Sequence, residues 1–149
     1  MSLAKRLTTW SKTSIVEMFG VDLRSLAIMR ILLGLILIRD LFVRFQYLEI
    51  FYTDYGALPR YVVLDFWERP MYVSLHMMSG AWLWQAVLFL VAGFCSFCFM
   101  IGCRTRLMGW LSWFFLISLH IRNPLVLNGG DIVFRMVLFW SLFLPLGAR

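Results

Sequence analysis

Charged residues are scarce in this sequence. Asp, Glu, Lys and Arg make up 15% of its 149 residues and hydrophobic residues 62%, whereas an average soluble domain is about a quarter charged and about half apolar. The mean hydropathy is +0.82. This composition excludes a disordered chain. It also excludes a nucleic-acid-binding domain, because the 14 Lys and Arg punctuate apolar runs and form no basic face. It predicts a protein embedded in a lipid bilayer.

Cysteine and histidine are few as well. Cys95, Cys98 and Cys103 form one odd-numbered cluster, which is typical of neither a disulfide framework nor a zinc site. Cys95 and Cys98 share a helix face, so a redox pair stays open, but packing along a helix seam is favoured. His76 and His120 could together bind a metal or a pigment magnesium. Without a clustered carboxylate two ligands make a weak site, and we expect no metal.

Catalytic patterns are missing from the sequence. No serine or cysteine has a histidine at a suggestive spacing, and no glycine-rich phosphate loop follows a strand. We therefore assign no catalytic residue.

Long apolar runs organise the chain. They predict four transmembrane helices, since a helix that crosses a bilayer needs roughly 20 residues. We place the spans at about 23–43, 80–102, 107–121 and 132–146. The last two are short, so we expect them to lie untilted or to extend into residues 122–124 and Asp131. The fold prediction is an all-α integral membrane protein with one four-helix domain over residues 21–149.

Residues 1–20 differ from the spans, because apolar and basic residues alternate along them. This pattern predicts an uncleaved amphipathic helix in the headgroup region, since no small-residue cleavage site follows a compact apolar core. Its basic residues are Lys5, Arg6 and Lys12, and Arg104 and Arg106 lie in the turn after the second span. The positive-inside rule then places both termini in the cytoplasm, in a membrane that we take to be the bacterial inner membrane.

The segment 46–79 is a long outer loop that carries all five tyrosines. Amphipathic rings favour the headgroup depth. We expect short interfacial helices that are broken at residues 56–59 and 69–70, or alternatively a lid over a pocket between the helices. The tyrosines are Tyr47, Tyr52, Tyr55, Tyr61 and Tyr72.

Charges inside the spans need partners or water. Asp40 and Arg44 are four residues apart and can pair, as can Asp131 and Arg135. One interpretation is two local salt bridges with snorkelling arginines. The other is that both pairs converge near the outer leaflet as a polar pocket.

The segment 120–131 contains a proline break and a glycine turn. Its polar groups would lie at the outer mouth beside Asp40, with Asp131 capping the fourth helix, although an ordinary interhelical hairpin explains the same residues. The candidate pocket residues are Asp40, Arg44, Asp54, His120, Arg122, Asn128, Asp131 and Arg135.

Four segments together resemble a known membrane domain. They are 22–27 with Arg30, 51–60, 122–131 and 145–149. They resemble the horizontally transferred transmembrane (HTTM) domain, the membrane portion shared by vitamin K-dependent gamma-carboxylases and bacterial relatives. The first helices are similar to the small four-helix DoxX-type proteins.

The resemblance implies a fold more than an activity. In the carboxylase a reduced quinone drives glutamate carboxylation, and the base is a lysine in a later membrane segment. Here the only lysines are Lys5 and Lys12, on the side that we expect to be cytoplasmic. We therefore expect no carboxylation by this chain alone.

Two functions remain. The first is a non-catalytic accessory or scaffold subunit of a larger membrane complex, such as a photosynthetic or respiratory assembly, that contacts partner helices, lipid, quinone or pigment. The second is one half of a carboxylase-like, quinone-using enzyme, whose pocket would include Arg30 besides most of the candidate residues. We expect no nucleic-acid partner.

Overall fold

The computed structural model describes residues 23–66, 74–144 and 146, and in these the chain is all-helical, without a strand. The predicted amphipathic helix at residues 1–20 lies outside the described residues. The helices are Leu23–Gln46 (α1), Leu48–Tyr52 (α2), Arg60–Phe66 (α3), Trp82–Ile101 (α4), Thr105–Arg122 (α5) and Gly129–Ser141 (α6), and short 3-10 turns cover Leu75–Met77 and Pro124–Val126.

Four of these helices correspond to the four predicted apolar segments. Helix α1 continues beyond the expected residue 43 to Gln46, and α5 extends to Arg122. Helix α6 begins at Gly129, three residues before the expected start, and ends at Ser141, five residues before the expected end. Local capping sets its start more strongly than hydropathy does.

The start of α6 corrects two expectations. Asn128, and not Asp131, is the N-cap: its Oδ1 accepts a hydrogen bond from the Asp131 amide at 3.2 Å, and Asp131 Oδ2 accepts from the Asn128 amide at 2.9 Å. This reciprocal pair is a capping box, which satisfies two backbone donors at once. The expected glycine turn before α6 also differs, because neither Gly129 nor Gly130 has a positive φ. Among the described glycines only Gly102 has one, at +87°.

Helix α4 is the only described helix that is both long and apolar enough to cross a membrane, with 20 residues and a mean hydropathy of 2.0. Helix α6 has 13 residues, and α1 carries four arginines and Asp40. Four transmembrane spans therefore remain a proposal.

Helix α4 lies at the centre of the bundle and packs against both α1 and α5. A β-carbon on Gly34 would lie 2.6 Å from Met100 Cβ, so glycine permits the close approach of α1 and α4. The main core cluster draws on all four long helices through Leu33, Leu37, Phe99, Leu116 and Leu138. The side chains of Cys95 and Cys98 are buried in α4.

The long loop forms short helices, as its sequence predicts. Helices α2 and α3 flank a break over residues 53–59, whereas the second expected break, 69–70, lies outside the described residues. Tyr52 is buried and its ring packs 5.3 Å from that of Phe89. Tyr55 and Tyr61 are exposed. The tyrosines therefore do not act as one set: Tyr52 belongs to the core, and Tyr72 is not described.

Candidate functional site

Arg44 is the centre of a buried ion cluster that joins α1, α2 and α6. Its Nε donates to the Asp40 carboxylate at 2.8 Å, within α1, and its Nη2 donates to Asp131 Oδ1 at 2.8 Å, from α6. Its Nη1 donates to the Tyr52 hydroxyl at 3.3 Å. A buried guanidinium with two carboxylates satisfies its donors internally, and loss of one partner strands a charge.

The burial of Tyr52 beside Arg44 has an electrostatic consequence. Burial raises the pKa of the Tyr52 phenol, and the Arg44 cation opposes that rise. The phenol therefore stays protonated at neutral pH and serves Arg44 as an acceptor.

His120 and Arg135 lie near this ion cluster without taking part in its hydrogen bonds. His120 is 3% exposed, and both its ring nitrogens are buried without a hydrogen-bond partner. The charges of Arg44, Asp131 and Arg135 act on its ring. Arg135 forms no ion pair within 4.0 Å with any described residue, so the expected Asp131–Arg135 bridge does not form. Asp131 forms an ion pair with Arg44 instead.

Arg122 clamps the outer loop from the end of α5. Its side chain is fully buried, with Nη1 donating to the Leu58 carbonyl at 2.8 Å and Nη2 to the Thr53 carbonyl at 3.1 Å. Asp54 Oδ1 lies 3.5 Å from Nη2. The neighbouring Asn123 donates to the Phe51 carbonyl at 2.9 Å. The clamp therefore satisfies carbonyls at the end of α2 and in the irregular segment that follows it.

Asp54 is bound by Arg60 as well as by Arg122. The Arg60 guanidinium lies 2.7 Å from Asp54 Oδ2 and also donates to the Met78 carbonyl at 2.9 Å. The hydrogen bond from Arg60 lowers the pKa of the Asp54 carboxyl. Asp54 is therefore ionised at neutral pH and belongs to the clamp, apart from the Arg44 cluster.

A second polar cluster joins the 3-10 turn to α5. Ser118 Oγ lies 2.9 Å from His76 Nδ1 and 3.0 Å from Ser74 Oγ. Gln85 Nε2 donates to the His76 carbonyl at 2.9 Å. No sequence pattern predicts this Ser–His contact, because the two residues are 42 positions apart. Ser118 and His76 are 0% and 1% exposed, which favours a structural role over nucleophilic catalysis.

Burial governs the charge state of His76. It lowers the pKa of the imidazole to about 4, and the Arg122 cation acts in the same direction. His76 is therefore neutral at physiological pH.

Arg30 does not join the candidate pocket. It lies 14 residues before Arg44 in α1, which is about 21 Å along the helix axis. Its Nη1 donates to the Leu146 carbonyl at 2.8 Å. The guanidinium packs against Gly102, where a β-carbon would lie 2.9 Å from Nη1. Including Arg30 in the pocket is therefore wrong.

The eight candidate residues thus fall into separate arrangements. Asp40, Arg44 and Asp131 form the ion cluster, Asp54 and Arg122 belong to the loop clamp, and Asn128 caps α6. His120 and Arg135 have no hydrogen-bond or ion-pair partner within the described part of the chain. In the parts of the chain that the structure describes, no three His, Cys, Asp or Glu side chains are grouped so as to hold a metal ion. We call the end of the bundle that carries these charges, namely Asp40, Arg44, Asp54, Arg122 and Asp131, the paired end.

Comparison of this chain with family models, curated proteins and solved structures finds no match.

Proposed function

We propose that this chain is a four-span integral-membrane subunit that serves as a non-catalytic accessory or scaffold component of a larger membrane complex. The observation that carries the proposal is the extent of exposed apolar surface. Large side chains on the outer faces of the long helices are uncovered, among them Ile28 (59% exposed), Phe42 (63%), Leu90 (68%), Phe94 (64%) and Trp140 (67%). Soluble monomers rarely expose contiguous apolar surface on this scale.

The buried charges support a structural role for the paired end. Arg44 and Arg122 are held by carboxylates, a hydroxyl and backbone carbonyls of the same chain. Pairing of this kind is what intramembrane charges require when they hold helices together. We therefore assign these charges to bundle assembly.

The HTTM relationship is part of the same proposal. The segment 122–131, which carries much of the resemblance, contains the Arg122–Asn123 clamp and the Asn128–Asp131 capping box. We propose that such residues recur in this family because they fix the outer loop and the start of the fourth span.

Extraction from native membranes tests the proposal. We expect the tagged chain to resist alkaline carbonate, and to elute in mild detergent with partner subunits in fixed stoichiometry that mass spectrometry identifies. Release by carbonate would overturn the membrane assignment. A carbonate-resistant chain that elutes alone from every mild detergent would overturn the accessory role.

Cys103 offers a test of orientation. It is exposed in the turn between α4 and α5, whereas Cys95 and Cys98 are buried. An impermeant maleimide should label Cys103 in inverted inner-membrane vesicles and leave it unlabelled in intact spheroplasts, with Cys103→Ala as the blank. The opposite pattern would place the termini outside the cytoplasm.

His120 and Arg135 favour a second candidate function, one half of a quinone-using enzyme. A buried histidine whose two ring nitrogens have no partner among the described residues, near the guanidinium of Arg135, offers hydrogen bonds that a quinone carbonyl accepts. Extracted wild-type protein would then retain quinone in its organic extract, and His120→Phe would lose it while His76→Asn keeps it. Quinone levels equal to those of an unrelated membrane protein would dismiss this candidate.

A further inference from the structure

The end of the bundle opposite to the paired end carries arginines without described acidic neighbours. It is formed by the first turns of α1, the turn between α4 and α5, and the residues after α6. Arg30 and Gly102 contact each other there, which brings α1 to that turn. Arg104 and Arg106 are exposed at the same turn. We call Arg30, Arg104 and Arg106 the basic end.

The described residues segregate charge along the bundle. The segments 23–30, 97–110 and 138–144 contain no Asp or Glu. All described carboxylates lie elsewhere, and three of them, Asp40, Asp54 and Asp131, pair with arginine. Arg30, Arg104 and Arg106 have no described carboxylate within 4.0 Å. No described carboxylate compensates these guanidinium groups, and such a cationic surface is complementary to an anionic partner.

We propose that the basic end binds the phosphate headgroups of anionic phospholipids, with Arg104 and Arg106 as the principal contacts. An arginine guanidinium presents parallel donors that match two phosphate oxygens. This inference rests on the proposed membrane function, and names the lipid class that the subunit recognises at one end.

The apolar neighbours of these arginines identify the partner as a lipid. Ile101 and Leu107 flank the turn and are 56% and 48% exposed, and Trp110 is 39% exposed one turn further along α5. Cations next to exposed apolar side chains match a phospholipid, in which the phosphate headgroup is joined to apolar acyl chains. A soluble acidic peptide would pair with the arginines but would not contact these apolar side chains.

Native mass spectrometry of the detergent-purified chain tests the proposal, with phosphatidylglycerol and phosphatidylcholine of identical acyl chains as probes. Each arginine near an anionic headgroup contributes about fivefold in affinity. We therefore expect wild-type protein to prefer phosphatidylglycerol, and Arg104→Gln with Arg106→Gln to lower its affinity by about 25-fold while phosphatidylcholine binding is unchanged.

Arg39→Gln is the matched control, because Arg39 is also exposed on α1 but belongs to the other half of that helix. It should keep the preference, and all variants should melt at the wild-type temperature. Equal binding of the two lipids, or a preference that survives the double substitution, would overturn the proposal.

Two further outcomes distinguish a failure of the lipid proposal from a failure of the proposed membrane function. If soluble polyglutamate displaces phosphatidylglycerol at equal charge concentration, the basic end binds an acidic protein and the lipid assignment is wrong. If the chain resists carbonate yet shows no preference for phosphatidylglycerol, the lipid inference alone fails, whereas release by carbonate removes the proposed function itself.

Discussion

The two ends of the bundle use arginine differently. At the paired end, Arg44 and Arg122 are buried and both join distant parts of the chain: Arg44 bonds to Asp131, 87 residues away, and Arg122 to Thr53, 69 residues away. At the basic end, Arg104 and Arg106 are exposed, and Arg30 reaches one carbonyl. The same residue type therefore fixes tertiary structure at one end and leaves charge available to the surroundings at the other.

The comparison also shows what an arginine in an apolar helix requires. Arg30 and Arg44 lie on the same helix, yet Arg44 has two carboxylates at 2.8 Å and Arg30 has no described one within 4.0 Å. Removal of an arginine that compensates buried carboxylates costs far more than removal of one that donates a single hydrogen bond.

Removal of the loop clamp should strongly destabilise the fold. Arg122→Leu deletes two charge-assisted hydrogen bonds, to the Thr53 and Leu58 carbonyls, and we expect a loss of about 3 kcal/mol in unfolding free energy. Thermal unfolding in detergent measures it, and hydrogen exchange should quicken over residues 53–58.

Arg60→Leu is the control for Arg122→Leu, because the side chain of Arg60 is 31% exposed. It should cost less than about 1 kcal/mol. Equal losses for the two variants would contradict the idea that buried carbonyl contacts, and not the shared Asp54, stabilise the loop.

Acidification should destabilise the protein through His76. The unfolded imidazole takes up a proton near pH 6.5, whereas the folded one stays neutral until about pH 4 because of burial and Arg122. The unfolded state thus binds more protons between these values, so stability falls as the pH falls through this window. Between pH 7 and pH 5 we expect a loss of about 2 kcal/mol.

The variant His76→Asn tests whether His76 causes this acid sensitivity, since the amide keeps a polar group near Ser118 but does not titrate. Its melting temperature should depend less steeply on pH from 7 to 5 than that of the wild type. An unchanged slope would assign the acid sensitivity to other groups.

Removal of one carboxylate from the ion cluster should have a smaller effect. Asp40→Ala leaves Arg44 bound to Asp131, so we expect a loss of about 1.5 kcal/mol. Addition of Asp131→Ala strands the guanidinium, and the combined loss should exceed the sum of the single losses by about 1 kcal/mol. Simple additivity in this double-mutant cycle would mean that the two carboxylates do not share Arg44.

Substitutions of the two glycines at the start of α6 should have the smallest effects on stability, and the two effects should have opposite signs. Gly129 lacks a positive φ and a β-carbon there meets nothing within 4 Å, so Gly129→Ala should stabilise by about 0.5 kcal/mol. A β-carbon on Gly130 would lie 2.9 Å from Asn128 Oδ1 and push on the cap. Gly130→Ala should therefore melt below Gly129→Ala, and a reversed order would contradict the capping box.

Local features of this fold could be predicted from sequence. Apolar runs located the four long helices, Asp40 and Arg44 pair at a spacing of four as expected, and glycine and proline located the break between α2 and α3. Each of these depends on residues within one or two helical turns. The start of α6 was misplaced because hydropathy ignores the cap.

Long-range partners could not be predicted in the same way. Asp131 has two possible arginines, and the choice of Arg44 over Arg135 depends on how α1 and α6 are rotated against each other. The Ser118–His76 contact and the carbonyls bound by Arg122 depend likewise on packing between distant segments. Periodicity shows which face a residue occupies, but not which side chain meets it.

The most direct test of the difference between the two ends is the unfolding free energy of two matched variants, Arg44→Met and Arg30→Met, measured in the same detergent. Both remove an arginine from α1 and retain an unbranched apolar side chain. We predict a loss of about 3 to 5 kcal/mol for Arg44→Met, which leaves Asp40 and Asp131 uncompensated, and about 1 kcal/mol for Arg30→Met. Equal losses, or a greater loss for Arg30→Met, would contradict the account.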